Sequence, residues 1–183
     1  MLSPYAVEQS QKKIGEQIAY IKEKRPYIVN VMPIDNKENM KADYLCGVDA
    51  VGIGDNGRNY NLQFKVRSEG NNDFMLVCKK LTGKAVNENE IGFVFNDEKY
   101  TFEMLQADIL IEYVNGKIYN ISREELSALE RNFKEDLKDK ISLIRPKMIS
   151  KDNGEKFFSG DYYCFIPTED LQALRAKVFQ NSL

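Results

Sequence analysis

Gln63 and Lys65 stand on one side of an alternating segment whose other side is Tyr60, Leu62, Phe64 and Val66. In the run before it, Asp49 shares a side with Leu45, Val51 and Ile53. A carboxylate in such an apolar row needs a partner. Asp55-Asn56-Gly57-Arg58 between the two runs is a strong turn signal. A hairpin centred on Asn56-Gly57 pairs residues whose numbers sum to about 113, setting Asp49 opposite Gln63 or Phe64. Within one register step, an acid, an amide oxygen and an amine converge. Such a group could hold a hard cation beside a positive charge. Mg²⁺ (or Mn²⁺) wants oxygen ligands and keeps several waters, so few protein groups suffice. The chain has no His, which excludes Ser-His-Asp and Cys-His catalysis and every His-containing zinc site.

The elements that must position these residues follow from periodicity and punctuation. Ile14, Ile18 and Ile21 recur on one stripe of an amphipathic helix over 6–24, which Arg25-Pro26 ends. A short strand over 27–32, a polar loop over 34–41 and an apolar run over 44–54 lead into the turn, and 59–68 returns as the second arm of the hairpin. A third strand spans 73–79. Further hairpins join 91–96 to 100–102 around Asp97-Glu98, and 107–114 to 117–121 across Asn115-Gly116. Ser122, with Glu125 three residues on, reads as the capping box of a helix over 122–132. Strands over 141–148 and 162–166, a turn at 151–154 and a helix over 168–179 close the chain. No repeat, low-complexity tract or linker interrupts it. The expectation is one α/β domain over residues 1–183, with a largely antiparallel or mixed sheet and helices at both ends.

The 183 residues carry 26 Lys+Arg against 28 Asp+Glu, so the net charge of −2 argues against nonspecific coating of nucleic acid. The distribution is uneven. Residues 58–84 hold six basic and two acidic side chains, 131–151 seven and three, and 85–130 three and ten. Two basic segments around an acidic one could form a phosphate-facing surface on a near-neutral molecule, or be solvated surface. Cys46, Cys78 and Cys164 are an odd number in apolar surroundings, which predicts buried free thiols rather than disulfides or structural zinc. The first residues lack the apolar core of a signal peptide, and no apolar run is long enough to span a bilayer. A reduced, cytoplasmic protein is expected.

The residues Gly47-Val48-Asp49 and Leu62-Gln63-Phe64-Lys65-Val66-Arg67-Ser68 resemble the core pattern of the PD-(D/E)XK nuclease superfamily, in its Q-x-K variant. The resemblance covers roughly the first 80 residues. It implies a restriction-endonuclease-like α/β fold, a central mixed sheet flanked by helices, and a metal-dependent DNA endonuclease of a restriction system or mobile element. Asp49 matches the Asp of the pattern, Gln63 the acid position, and Lys65 the Lys. Many members carry a Glu on the preceding helix, which points to Glu16. The resemblance thus implies Mg²⁺ held by Asp49, Gln63 and Glu16, with Lys65 orienting or helping to deprotonate a water, or stabilising developing charge. Arg67, Lys79, Lys80 and Lys84 are candidate phosphate contacts. Cutting both strands commonly calls for two active sites, hence a homodimer. Two departures stand out: Gln63 is neutral where most members have a carboxylate, and Val48 replaces the Pro.

Each residue also has a plainer role. Gln63 and Lys65 suit the wet face of an amphipathic strand. Glu16 suits a solvated helix flank, with Glu8 able to take its place, and Asp43 rivals Asp49 from the strand entrance. Asp108 is expected to end an apolar strand, and the aromatics of Gly160–Pro167 to be core rather than a stacking platform. The rival to the nuclease is a catalytically silent module of the same fold that binds nucleic acid or protein. A small-molecule enzyme using Lys65 as nucleophile finds no cofactor motif, neither G-x-G-x-x-G nor G-x-x-x-x-G-K-[ST].

Overall fold

A computed structural model describes residues 4–34, 48–67, 70–82, 91–104, 106–150 and 154–180, with the side chains of 4–12 and of Ser150 outside the description. In chain order the elements are α1 (Pro4–Lys24), β1 (Ile28–Pro33), β2 (Ala50–Gly54), β3 (Asn59–Val66), β4 (Asp73–Lys80), β5 (Phe93–Phe95), β6 (Glu98–Phe102), β7 (Ile109–Val114), β8 (Lys117–Ser122), α2 (Arg123–Asn132), α3 (Lys134–Lys140), β9 (Leu143–Ser150), β10 (Lys156–Pro167) and α4 (Thr168–Gln180). The chain is mixed α/β and forms two compact units. Residues 1–71 with 104–123 make the first, and 72–103 with 124–183 the second. Where the sequence predicts one central sheet, the strands divide between two five-stranded sheets. Among the described residues no helix is long and apolar enough to cross a membrane.

The sheet of the first unit runs β1-β2-β3-β7-β8. Its strands are antiparallel except that β3 and β7 run parallel. The β2–β3 turn is a three-residue loop: Gly54 N–H donates to Arg58 O, Asn56 Oδ1 accepts Arg58 N–H, and Gly57 takes φ +77°. This is a tight turn closed by a left-handed residue, a position that favours glycine. The register therefore sums to 112, with Ala50 opposite Leu62 and Gly52 opposite Tyr60. Ala50 and Leu62 are buried with Ile21, Ile28, Ile109 and Ile111 in one core, and Phe64 packs at its margin. That core holds α1, through Ile21, against one face of the sheet. The Asn115-Gly116 hairpin forms as the sequence predicts, with both residues at positive φ and Val114 opposite Lys117. At the other end of the β3–β7 pair Asp108 closes the ladder: its carboxylate accepts Asn61 N–H at 2.7 Å and its own N–H donates to Asn61 O.

The second unit has an all-antiparallel sheet in the order β5-β6-β4-β10-β9. Its β5–β6 turn is Asn96-Asp97, both at positive φ, one residue earlier than expected. β10 extends back from the expected 162–166 to Lys156, across an irregularity between Phe158 and Tyr162 where Gly160 takes φ +93°. Cys164, Phe165 and Ile166 are core. Cys78 and Cys164 are free and buried, while Cys46 lies outside the described residues. Glu125, three residues after Ser122 in the first turn of α2, accepts Arg175 of α4 at 2.8 Å. Glu130, on the same helix, is buried and accepts the Phe102 amide.

Burial pushes the Glu130 carboxyl up to about 7, against hydrogen bonds from the Phe102 amide and Thr101 that lower it. A carboxyl raised on folding contributes stability that is full below the ordinary carboxylate range and is lost as pH climbs through its folded value. Thermal melts should therefore show the parent losing stability between about pH 5 and about pH 8, with Glu130→Gln flattening that slope.

Candidate active site

The β2–β3 ladder stops at Ala50 and Leu62, and the next residue toward the chain start is Asp49. Asp49 N–H donates to Leu62 O at 2.8 Å, and its own carbonyl accepts Ile34 N–H at 2.9 Å. Its carboxylate Oδ2 accepts the Phe64 N–H at 2.7 Å. A side-chain oxygen thus stands where the next ladder carbonyl would be. Asp49 is hydrogen bonded to the residues on either side of Gln63, and its carboxylate is fixed at the residue that separates Gln63 from Lys65. Of the two registers the sequence allows, the three-residue loop selects the one with Asp49 beside Gln63.

Along β3, Leu62 and Phe64 face the α1 core, so Gln63 and Lys65 face the other side of the sheet. The parallel neighbour β7 adds a residue to that side. Glu112 pairs in register with Lys65, is wholly buried, and has Oε1 3.7 Å from Arg67 Nε. This acid was not singled out from the sequence. Its signal was present: one carboxylate in the otherwise apolar strand Ile109-Leu110-Ile111-Glu112-Tyr113-Val114, whose burial demands a counter-charge. From the opposite face, Gln17 of α1 reaches the same level. It is wholly buried, and its Nε2 donates to Lys65 O at 2.9 Å and Ile111 O at 3.0 Å, bridging the two parallel strands beneath Lys65.

Glu16, the neighbour of Gln17, is exposed on α1, the helix that covers the side of the sheet away from Gln63 and Lys65. Of the candidate phosphate contacts, Arg67 lies against Glu112 and is largely buried. In the second unit Lys79 is exposed, while Lys80 is ion-paired with Glu98, which also accepts the Tyr100 hydroxyl at 2.6 Å. The Lys80–Glu98 hydrogen bond raises Lys80 and lowers Glu98 from their ordinary values, and burial followed by the Glu98 bond pushes the Tyr100 phenol up. Lys84 and Asp43 lie outside the described residues.

Among the described residues no group of three or more His, Cys, Asp or Glu side chains clusters as a metal site. The oxygen donors that the register sets side by side are hard ones, the Asp49 carboxylate and the Gln63 amide. This set suits Mg²⁺ with retained waters better than zinc or a thiophilic ion. The chain matches no protein-family model, no curated protein and no solved structure.

Glu112 and Arg67 form a buried pair whose halves are unequal to stand alone. Glu112→Ala should cost about 3 kcal/mol or more in urea unfolding, and replacing both residues by Leu should recover a large part of that loss.

Proposed function

We propose that the chain is a Mg²⁺-dependent endonuclease acting on DNA, with a restriction-endonuclease-like first unit. The observation that carries this reading is the Asp49 carboxylate held on the amide between Gln63 and Lys65. The order of helix, Asp strand, tight hairpin and Q-x-K strand within one mixed sheet supports it. Asp49 and the Gln63 amide oxygen would hold the cation. When bound, Mg²⁺ neutralises phosphate charge and makes a coordinated water more acidic. Lys65 carries its ammonium to the same side of the sheet. There it orients the attacking water or stabilises the negative charge that develops on the phosphate. Glu112, its partner on β7, supplies a buried negative charge beside it. Glu16 is left out of this set, because α1 covers the opposite side of the sheet. A cytoplasmic enzyme of a restriction system or mobile element, paired as a homodimer to cut both strands, fits this chemistry.

The neutral Gln63 favours a second reading, a catalytically silent module of the same fold that binds nucleic acid or protein. Two experiments decide between them. Asp49→Ala and Lys65→Ala should each slow Mg²⁺-dependent nicking of plasmid DNA by about 100-fold or more with a near-unchanged circular dichroism spectrum. A variant that cuts like the parent removes its residue from the site. Mn²⁺ should raise the melting temperature of the parent, and more so for Gln63→Glu, because an added carboxylate tightens a site that binds only the folded state. Equal shifts for both proteins would return Gln63 to the solvated strand face.

A further inference from the structure

Gln17 occupies a place on α1 that packing alone would give to an apolar side chain. It stands three residues after Ile14 and four before Ile21, on the stripe that turns toward the sheet. Like Ile21 it is wholly buried. Its neighbours settle how the amide is oriented. Nε2 lies 2.9 Å from Lys65 O and 3.0 Å from Ile111 O, and only the NH₂ end of a carboxamide can face two carbonyl oxygens. Oε1 must therefore point elsewhere, and among the described residues it meets no hydrogen-bond partner. A buried acceptor left unmatched lowers stability.

The amide is not what joins the two strands, because β3 and β7 are paired in register from Leu62 with Ile109 to Val66 with Tyr113. A leucine would fill the same stripe and leave no orphan oxygen. What the amide adds is a clamp at one level of the ladder. The carbonyls it holds belong to Lys65 and to Ile111, the residue directly before Glu112. Lys65 and Glu112 pair in register and send their side chains to the other face of the sheet. The two donated bonds thus fix, from behind, the spacing of the peptides that carry the ammonium and the buried carboxylate. Both bonds end on main chain, so Gln17 acts through Lys65 and not on a substrate.

We propose that Gln17 is a positioning residue of the cleavage site, a buried amide that sets Lys65 against Glu112 at a loss of stability. The proposal rests on the reading of the chain as a Mg²⁺-dependent nuclease. It names a residue on the far face of the sheet on which the rate of that chemistry depends.

The test is Gln17→Leu in the full chain. Its urea midpoint should equal or exceed the parent's, because the unmatched acceptor is gone. Its kcat for Mg²⁺-dependent plasmid nicking should fall about tenfold or more with KM unchanged, since the placement of Lys65 acts on the chemical step. The rise in melting temperature with Mn²⁺ should match the parent's, because Asp49 and Gln63 keep their places. Amide hydrogen exchange should quicken in peptides spanning 61–67 and 109–114 and not elsewhere. Gln17→Met, which keeps the length of the side chain without its donors, should behave as the leucine variant does. Variants that nick like the parent would overturn the proposal. So would variants whose stability falls along with their rate, the mark of an ordinary core residue. A parent that nicks no DNA removes the cleavage reading and this inference with it, whereas an active parent beside an equally fast Gln17→Leu removes the inference alone.

Discussion

The loop of Asp55, Asn56 and Gly57 is the constraint on which the candidate site depends. Side chains in a strand alternate, so adding or removing one residue from this loop would move β3 by one step against β2. Leu62 would then leave the core beneath α1, and Gln63 or Lys65 would enter it. The left-handed Gly57 and the Asn56 side chain on the Arg58 amide hold the loop at three residues. The register of the ladder and the meeting of Asp49 with the Gln63–Lys65 segment are therefore two results of one turn.

Around that ladder, polar side chains complete hydrogen bonding that backbone alone leaves open. Asp49 satisfies the Phe64 amide at one end and Asp108 the Asn61 amide at the other. Gln17 adds a donor to two carbonyls of the parallel pair from within the α1 core. Each substitution of side chain for backbone costs desolvation and repays it in definition: a buried polar group accepts few alternative arrangements. Glu112 with Arg67 is the charged version of the same device. β3 is consequently pinned along its length, by Asp108 near its start, Gln17 near its end and Glu112 beside Lys65, which gives the site a rigid floor.

Much of this architecture is legible in the residues. The isoleucine stripe marks α1, Asn115-Gly116 marks its hairpin, and the alternation of 59–68 separates the core side of β3 from its polar side. Other features have no local signature. The choice between a two- and a three-residue loop over Asp55–Arg58 turns on the conformation of Gly57, which composition does not encode. The parallel union of β3 with β7 joins segments far apart in the chain, so Lys65 cannot be seen to neighbour Glu112. α3 carries a single apolar residue, the fully buried Leu137, and so shows no period to read. The division into two sheets leaves no linker, because the chain crosses between units at 71–72, at 103–104 and in the first turn of α2, directly after β8. Phe157 and Phe158 precede a left-handed Gly160 that interrupts the alternation, which hides the first half of β10.

The first unit is drawn from two separated stretches of chain, 1–71 and 104–123. On the ribosome, α1 and the β1–β2–β3 meander emerge first, yet β3 has no second neighbour until β7 and β8 follow. By then β4, β5 and β6 have also been made, while β9 and β10, on which the edge of β4 depends, are still unsynthesised. Each half-built sheet thus waits with an open side during translation, and neither can be completed in strict order of synthesis. Such long-range closures are slow to form and leave sticky intermediates. Truncation after residue 103 would strand both units at once, so the molecule matures as an interleaved whole rather than as two consecutive modules.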